Sequence, residues 1–173
     1  MPGMMDTVLN LGLNPPTVQG LIAKTDNPRF AYDAYRRFIQ MFSNVVLGLE
    51  HKLFEEILGR QKAVSGAATD AELPAEALRE LVTQYKRLVK DHTRHEFPEE
   101  PMEQLRLAIN AVFQSWNNER ANVYRRLNNI PHSLGTAVTV QSMVFGNMGN
   151  TSLTGVCFTR DPSTGSRVFY GEY

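Results

Sequence analysis

From Phe30 onward, apolar residues return every three or four positions: Phe30, Ala34, Phe38, Met41, Phe42 and Val45 share one side of a helix, while Tyr32, Arg36, Arg37 and Gln40 fall on its other sides. Asn27-Pro28 predicts the start, because Asn caps well and Pro at the first helical position loses no needed hydrogen bond. The pattern runs on through Leu49, Leu53, Phe54, Ile57 and Leu58, so one long helix is expected. It ends at the small, polar stretch Ser65-Gly66-Ala67-Ala68-Thr69-Asp70, which reads as the most flexible loop. A second helix begins near Leu73-Pro74, with Leu78, Leu81, Val82, Tyr85, Leu88 and Val89 as its stripe. After the two-proline turn Glu96–Pro101, a third carries Leu105, Ala108, Ile109, Val112, Phe113 and Trp116. Asn117-Asn118 predicts a break before Ala121, Val123, Tyr124 and Leu127 resume the helical period.

Beyond Ile130-Pro131 the period becomes two. Ala137, Thr139, Gln141 and Met143 alternate with Val138, Val140, Ser142 and Val144, which predicts a strand. Gly146–Asn150 reads as a loop and Thr154–Thr159 as a strand. Asp161–Gly165 reads as a tight turn, with Arg167–Tyr170 as the strand that pairs back. The N-terminal stretch, rich in Gly and Thr, also reads as loop and strand. The expected organisation is therefore α+β: a helical lobe over about 28–130, set between a loop/strand segment at 1–27 and a β segment at 131–173. Both ends have the texture of a chain that continues.

Composition narrows the function classes. Eighteen Lys+Arg against eighteen Asp+Glu leave a net charge of zero, which speaks against a nucleic-acid partner or a basic membrane-surface face. The 42% apolar content is too high for a disordered chain. No run approaches a membrane span and no signal-peptide pattern opens the chain. Cys157 is the one cysteine, so no internal disulfide can form, and a reducing, cytoplasmic setting is expected. An organellar targeting segment would lie outside these residues.

Several clusters carry candidate chemistry, each beside a plainer reading. Met1-Pro2-Gly3-Met4-Met5-Asp6-Thr7 fits a processed terminus, or a ligand loop in which Gly permits close approach and Met packs on a flat ring. Gly146–Gly155 fits a plain hairpin loop or a cradle of N–H and O–H donors for phosphate; without a following Gly-Lys-Ser/Thr and a helix it is no P-loop. His92 and His95 have the spacing of a metal pair or of two solvated helix-end histidines. Arg120, Arg125 and Arg126 suit an anion site or a face of ion pairs. Cys157, between Val156 and Phe158, reads as a buried thiol.

Taken together, MPGMMDTVLNLGLN at 1–14, NPRFAYDAYRRFIQMF at 27–42, FPEEP at 97–101, AVFQSWNNERANVYRRLNNIP at 111–131, GTAVTVQSMVFGNMGNTSLTGVCFTRDPSTG at 135–165 and YGEY at 170–173 resemble the N-terminal nucleotide-binding domain of pyruvate, phosphate dikinases. The phosphoenolpyruvate synthases (pyruvate, water dikinases) share a shorter form of the pattern and are the nearest alternative. A non-catalytic helical interaction module is the alternative from another class. The resemblance implies part of an ATP-grasp domain with an inserted helical subdomain. It implies a parent enzyme, generally a homodimer, that interconverts ATP, phosphate and pyruvate with AMP, diphosphate and phosphoenolpyruvate. The phosphoryl group passes through a histidine on another domain, with Mg²⁺ at each step.

Carried over by position, the resemblance places Gly3 and Met5 in the loop against the nucleotide. Gln141, Met143 and Val144 fall at the adenine edge, and Thr154 and Gly155 over the phosphates. Where the family commonly has Ser-Gly-Thr-Gly, this chain has Ser152-Leu153-Thr154-Gly155, and a Leu at a Gly position restricts φ. The family's ATP-site lysine and arginine fall upstream, and its metal-binding carboxylates downstream. No catalytic residue and no metal ligand is expected within the segment, so His51, His92, His95 and His132 receive no transfer role and the segment is expected to be inactive alone.

Overall fold

A computed structural model describes residues 3–173, so Met1 and Pro2 of the opening turn lie outside the described residues. The chain forms two compact units, the first running to Gln141 and the second Ser142–Tyr173. The first unit holds both the N-terminal segment and the helical lobe.

Among the described residues, six helices build the first unit: α1 (Pro15–Thr25), α2 (Pro28–Val45), α3 (His51–Ser65), α4 (Ala75–Thr93), α5 (Pro101–Gln114) and α6 (Glu119–Leu127). The expected stripes are buried on α2 and α4. On α5 and α6 they are buried only in part: the buried residues are Gln104, Ala108 and Ala111 on α5 and Ala121 and Arg125 on α6, while Phe113 and Leu127 of the expected stripes are exposed. Helix α1 corrects the reading of 1–27 as loop and strand. Two adjacent prolines resemble a breaker, yet they occupy the first turn, where their missing N–H groups cost nothing. Asn14 and Thr17 close a reciprocal cap, Asn14 Oδ1 accepting from Thr17 N at 2.9 Å and Thr17 Oγ1 from Asn14 N at 2.8 Å.

A second correction divides the long helix. Residues 46–50 separate α2 from α3, and Gly48 takes φ of +73°. The apolar spacing passes through this corner unchanged because Leu49 turns inward to burial on its own account. Open space surrounds the position a β-carbon would take at Gly48. Gly48→Ala is therefore expected to cost about 1 kcal/mol from backbone strain alone, read as a lowered urea midpoint at unchanged slope.

Helix α2 is the centre of the unit and packs most extensively against α4. Phe30, Ala31, Ala34, Tyr35, Phe38, Ile39 and Phe42 are buried on it, as are Leu78, Leu81, Tyr85 and Val89 on α4. Phe97, from the two-proline turn, joins Phe38 and Phe42 in edge-to-face contacts at 5.7 and 5.4 Å between ring centroids. Phe54 of α3 meets Tyr85 the same way at 4.9 Å, and the Tyr85 hydroxyl donates to the Phe54 carbonyl at 3.2 Å. Burial, eased in part by the nearby Arg36 charge, pushes the Tyr85 hydroxyl up to about 12.

Charges are buried beside this core. Arg36, 3% exposed, donates to Asp33 Oδ1 at 2.9 Å, to Asp70 Oδ2 at 3.0 Å and to Gln40 Oε1 at 3.4 Å. Lys62 donates to the other oxygen of Asp70 at 3.0 Å, and Arg29 holds the carbonyls of Asp70 and Leu73 at 2.8 and 3.0 Å. The stretch Ser65–Asp70, read as the most flexible loop, is thus fastened to α2 and α3 through its last residue. Gly66, in the left-handed region, ends α3 as a helix-stopping glycine does.

In the second unit, β1 (Val156–Phe158) and β2 (Tyr170–Glu172) pair antiparallel, with Cys157 opposite Gly171. The connecting turn falls where expected: Gly165 N donates to the Asp161 carbonyl at 2.9 Å, and Asp161 Oδ1 accepts from Ser163 N and Thr164 N. The strands are shorter than the sequence pattern, and the partner strand lies nearer the chain's end than Arg167–Tyr170. The alternating run Ala137–Val144 forms no strand, because alternation needs a ladder partner and the sheet of the described residues has two strands alone. Cys157 is exposed rather than buried, since the ribbon's strand residues are exposed throughout.

Candidate nucleotide site

The residues carried over from the resemblance divide between the two units. Gly3, Met5 and Gln141 belong to the first, and Met143, Val144, Thr154 and Gly155 to the second.

In the first unit, Gly3 is exposed with φ of +70°, a conformation glycine takes without strain, and it turns the chain toward Met4 and Met5. The loop that follows is held at the corner between α5 and α6, which the 3-10 turn Ser115–Asn117 forms. Asp6 N donates to the buried Ser115 Oγ at 3.0 Å, and Ser115 Oγ in turn donates to the Val112 carbonyl at 2.7 Å. Arg120 Nε donates to the Met4 carbonyl at 3.1 Å, and its terminal nitrogen pairs with the Asp6 carboxylate. Asn118 Nδ2 reaches the second oxygen of Asp6 at 3.1 Å. The Met5 thioether lies 3.9 Å from Ser115 Oγ. Farther along, the fully buried Gln104 accepts from Gly12 N at 2.9 Å and donates to the Leu13 carbonyl at 3.1 Å.

Beside this loop opens a shallow apolar cleft of about 470 Å³, lined by Met4, Glu119, Arg120, Val123, Tyr124 and Leu127. Met4, not Met5, faces it. The three arginines of this region have three different surroundings. Arg120 is ion-paired as the plainer reading holds. Arg125, 1% exposed, is bonded to neutral groups instead: Nε to His132 Nδ1 at 3.0 Å, with the Trp116 carbonyl and Asn122 Oδ1 taking its other nitrogens. Its guanidinium stacks 4.0 Å from the Trp116 ring centroid. Arg126 is exposed.

In the second unit, Met143, Val144 and Thr154 are exposed, Val144 at 87%. Gly146 and Thr154 close the loop on itself: a β-carbon at Gly146 would stand 1.6 Å from Thr154 Oγ1 and 2.7 Å from the Leu153 carbonyl, so only glycine fits. Within that loop Ser152 N donates to the Gly149 carbonyl at 3.0 Å. Leu153 is 75% exposed and is not among the non-glycine residues with positive φ, so the Leu is accommodated without left-handed strain. Gly155 lies beside the Glu172 carbonyl, where a β-carbon would come to 2.7 Å. Gln141, at the end of the first unit, is exposed.

The histidines give no metal geometry. His92 Nδ1 lies 3.0 Å from the Leu88 carbonyl at an exposed helix end, and His132 accepts from Arg125. Among the described residues no group of three or more His, Cys, Asp and Glu side chains could hold a metal ion. No helix among the described residues is long and apolar enough to cross a membrane.

The family model described as the pyruvate phosphate dikinase AMP/ATP-binding domain matches residues 1–172. The chain is 56% identical over 174 residues to the pyruvate, phosphate dikinase of Clostridium symbiosum, covering all of this chain and 20% of that protein. It is 57% identical over 173 residues to the chloroplastic pyruvate, phosphate dikinase of Flaveria trinervia and 56% over 175 residues to the pyruvate, phosphate dikinase of Giardia intestinalis, covering 18% and 20% of them. The chain thus spans about a fifth of the length of the curated relatives it matches. With a family model matched from its first residue to Glu172, the chain belongs to the pyruvate, phosphate dikinase family, in the family's AMP/ATP-binding domain.

Proposed function

We propose that the chain supplies part of the ATP site of a dikinase that interconverts ATP, phosphate and pyruvate with AMP, diphosphate and phosphoenolpyruvate through a phosphohistidine. The observation that carries this reading is the family match over residues 1–172 together with identity of 56–57% to named pyruvate, phosphate dikinases. The finer reading is an ATP-grasp domain with Gly3 and Met5 in one nucleotide-contacting loop. Gln141, Met143 and Val144 lie along the adenine edge, and Thr154 and Gly155 over the phosphates. The chemistry of these positions suits it: Met143 offers apolar contact, the main chain at Val144 hydrogen bonds, and the Thr154 hydroxyl a donor to phosphate oxygen. A site of this kind works by positioning and neutralising phosphates. The Mg²⁺ ions and the cations that do the neutralising would be held by other parts of the parent protein, a homodimer in the cytoplasm or, as with the chloroplastic relatives, in an organelle.

Two measurements test the reading. Isothermal titration of the complete parent protein with Mg-ATP should show binding, weakened by Thr154→Val by several-fold, the scale of one lost hydrogen bond. The 173-residue chain alone should give no phosphoenolpyruvate from ATP, phosphate and pyruvate. A parent that binds no nucleotide would sink the proposal; turnover by the isolated chain would sink the assignment of the catalytic groups to other domains.

A further inference from the structure

We infer that Arg120, Asp6 and Ser115 are positioning residues for nucleotide binding, acting through the loop they bracket. The inference rests on the reading that Gly3 and Met5 contact the nucleotide, and it adds residues that reading does not contain. Met5 is held from both sides by side chains that arrive from more than a hundred residues away. Before it, the Met4 carbonyl takes Arg120 Nε at 3.1 Å. After it, Asp6 is fixed at three atoms, its N–H by Ser115 Oγ at 3.0 Å, one carboxylate oxygen by Arg120 and the other by Asn118 Nδ2 at 3.1 Å. One guanidinium therefore spans the residue, and the main chain at Met5 has little freedom to shift along α6 or lift from it.

The energetics favour a geometric role over a stabilising one. The Arg120 side chain is 53% exposed and that of Asp6 21% exposed. An ion pair that open contributes little to folding and is screened by salt. What it does supply is orientation, because Arg binds a carboxylate and a carbonyl through nitrogens set at a rigid angle. A loop fixed before its ligand arrives spends less of the binding free energy on ordering. The buried anchor is Ser115, 2% exposed, whose hydroxyl both accepts from the loop and donates to α5 at Val112, so the loop is referred to the helical framework.

The test uses the complete parent protein. Arg120→Ala should raise the Kd for Mg-ATP about tenfold, the scale of one lost charge-assisted contact, with the thermal midpoint unchanged. Steady-state assay should show KM for ATP raised and KM for pyruvate unmoved, a split that general loosening of the fold would not give. Arg120→Lys, which keeps the charge beside Asp6 and gives up the fork to Met4, should recover part of the affinity. Asp6→Asn, nearly isosteric, should weaken ATP binding in the same direction and serves as the deciding variant where Arg120→Ala lowers the midpoint. Wild-type parent without affinity for Mg-ATP would remove the nucleotide reading itself. Wild-type affinity retained by Arg120→Ala or by Asp6→Asn, or KM values for ATP and pyruvate rising together, would overturn the positioning role while leaving that reading in place.

Discussion

Phe38→Ala is expected to cost about 3–5 kcal/mol of folding free energy, the range for removing a buried aromatic side chain. Phe38 has no exposed surface and stands at the meeting of three rings, 5.5 Å from Phe42 and 5.7 Å from Phe97. The loss has two parts: the transfer of the ring out of water, and the void left where α2, α4 and the Phe97 turn converge. Edge-to-face geometry adds about 0.5–1.5 kcal/mol per pair beyond burial. Phe113, 45% exposed, is the internal control, and Phe113→Ala should cost well under half as much. Equilibrium urea unfolding followed by far-UV circular dichroism gives both numbers. Equal losses at the two sites would show that Phe38 does not sit in the core described.

Arg36→Met is expected to destabilise by about 3 kcal/mol, the low end of the range for removing one partner of a buried charge pair. Methionine keeps the stem's apolar packing but leaves Asp33, 4% exposed, with Arg37 as its ion-pair partner at 2.9 Å. Arg37 is largely in water, so it neutralises Asp33 less completely. The cluster also sets a pH dependence. Burial alone would raise the Asp70 carboxyl; the Lys62 hydrogen bond and the Arg36 and Lys62 charges outweigh it and hold the group below its ordinary 3.8. A lowered folded-state value stabilises above the unfolded one and the contribution disappears as pH falls through the folded one. Asp70→Asn should therefore be less stable than wild type at neutral pH. The difference should shrink as the pH falls below 3.8. A difference that stayed constant with pH would mean that Asp70 is not held by these cations.

The helical lobe was largely legible because its code is local. Apolar spacing marks the buried sides of α2 and α4, and Asn27 caps α2, accepting from Phe30 N at 3.0 Å. The failures arose where local signals are ambiguous. Pro15-Pro16 looks like an interruption until Asn14 before it and Thr17 after it are weighed as a cap. Gly48 turns the chain without disturbing the apolar count, so periodicity alone sees one helix where there are two. Asp70 looks like a loop residue; only the fold shows that Arg36, 34 positions earlier, reaches it. The alternation over Ala137–Val144 reports side-chain order and not a pairing partner, which no short window contains.

The site was legible through resemblance far more than through chemistry. Nothing near Met5 in sequence announces Ser115 or Arg120, because their hydrogen bonds to the loop span 109 to 116 residues. Arg120 and Arg125 look alike in the string Glu119–Leu127, and yet one pairs with a carboxylate at the surface while the other is buried on neutral acceptors and an indole. A helical offset of five residues, which turns one side chain outward and the other inward, makes that difference. Thr154 and Gly146 show a contact within one unit that the loop's three glycines hint at without specifying which must be glycine.

The chain has one tryptophan, and it lies in the turn that carries Ser115 on one side and Asn118 on the other. A guanidinium rests on the Trp116 indole face and its N–H donates to the His132 carbonyl at 3.3 Å. Emission from this fluorophore therefore senses the ground on which the N-terminal loop is tethered, and is remote in sequence from the aromatic cluster of α2. Heating the chain while watching Trp116 fluorescence and helix ellipticity together would give two optical clocks, one set in the α5–α6 corner and one averaged over all six helices.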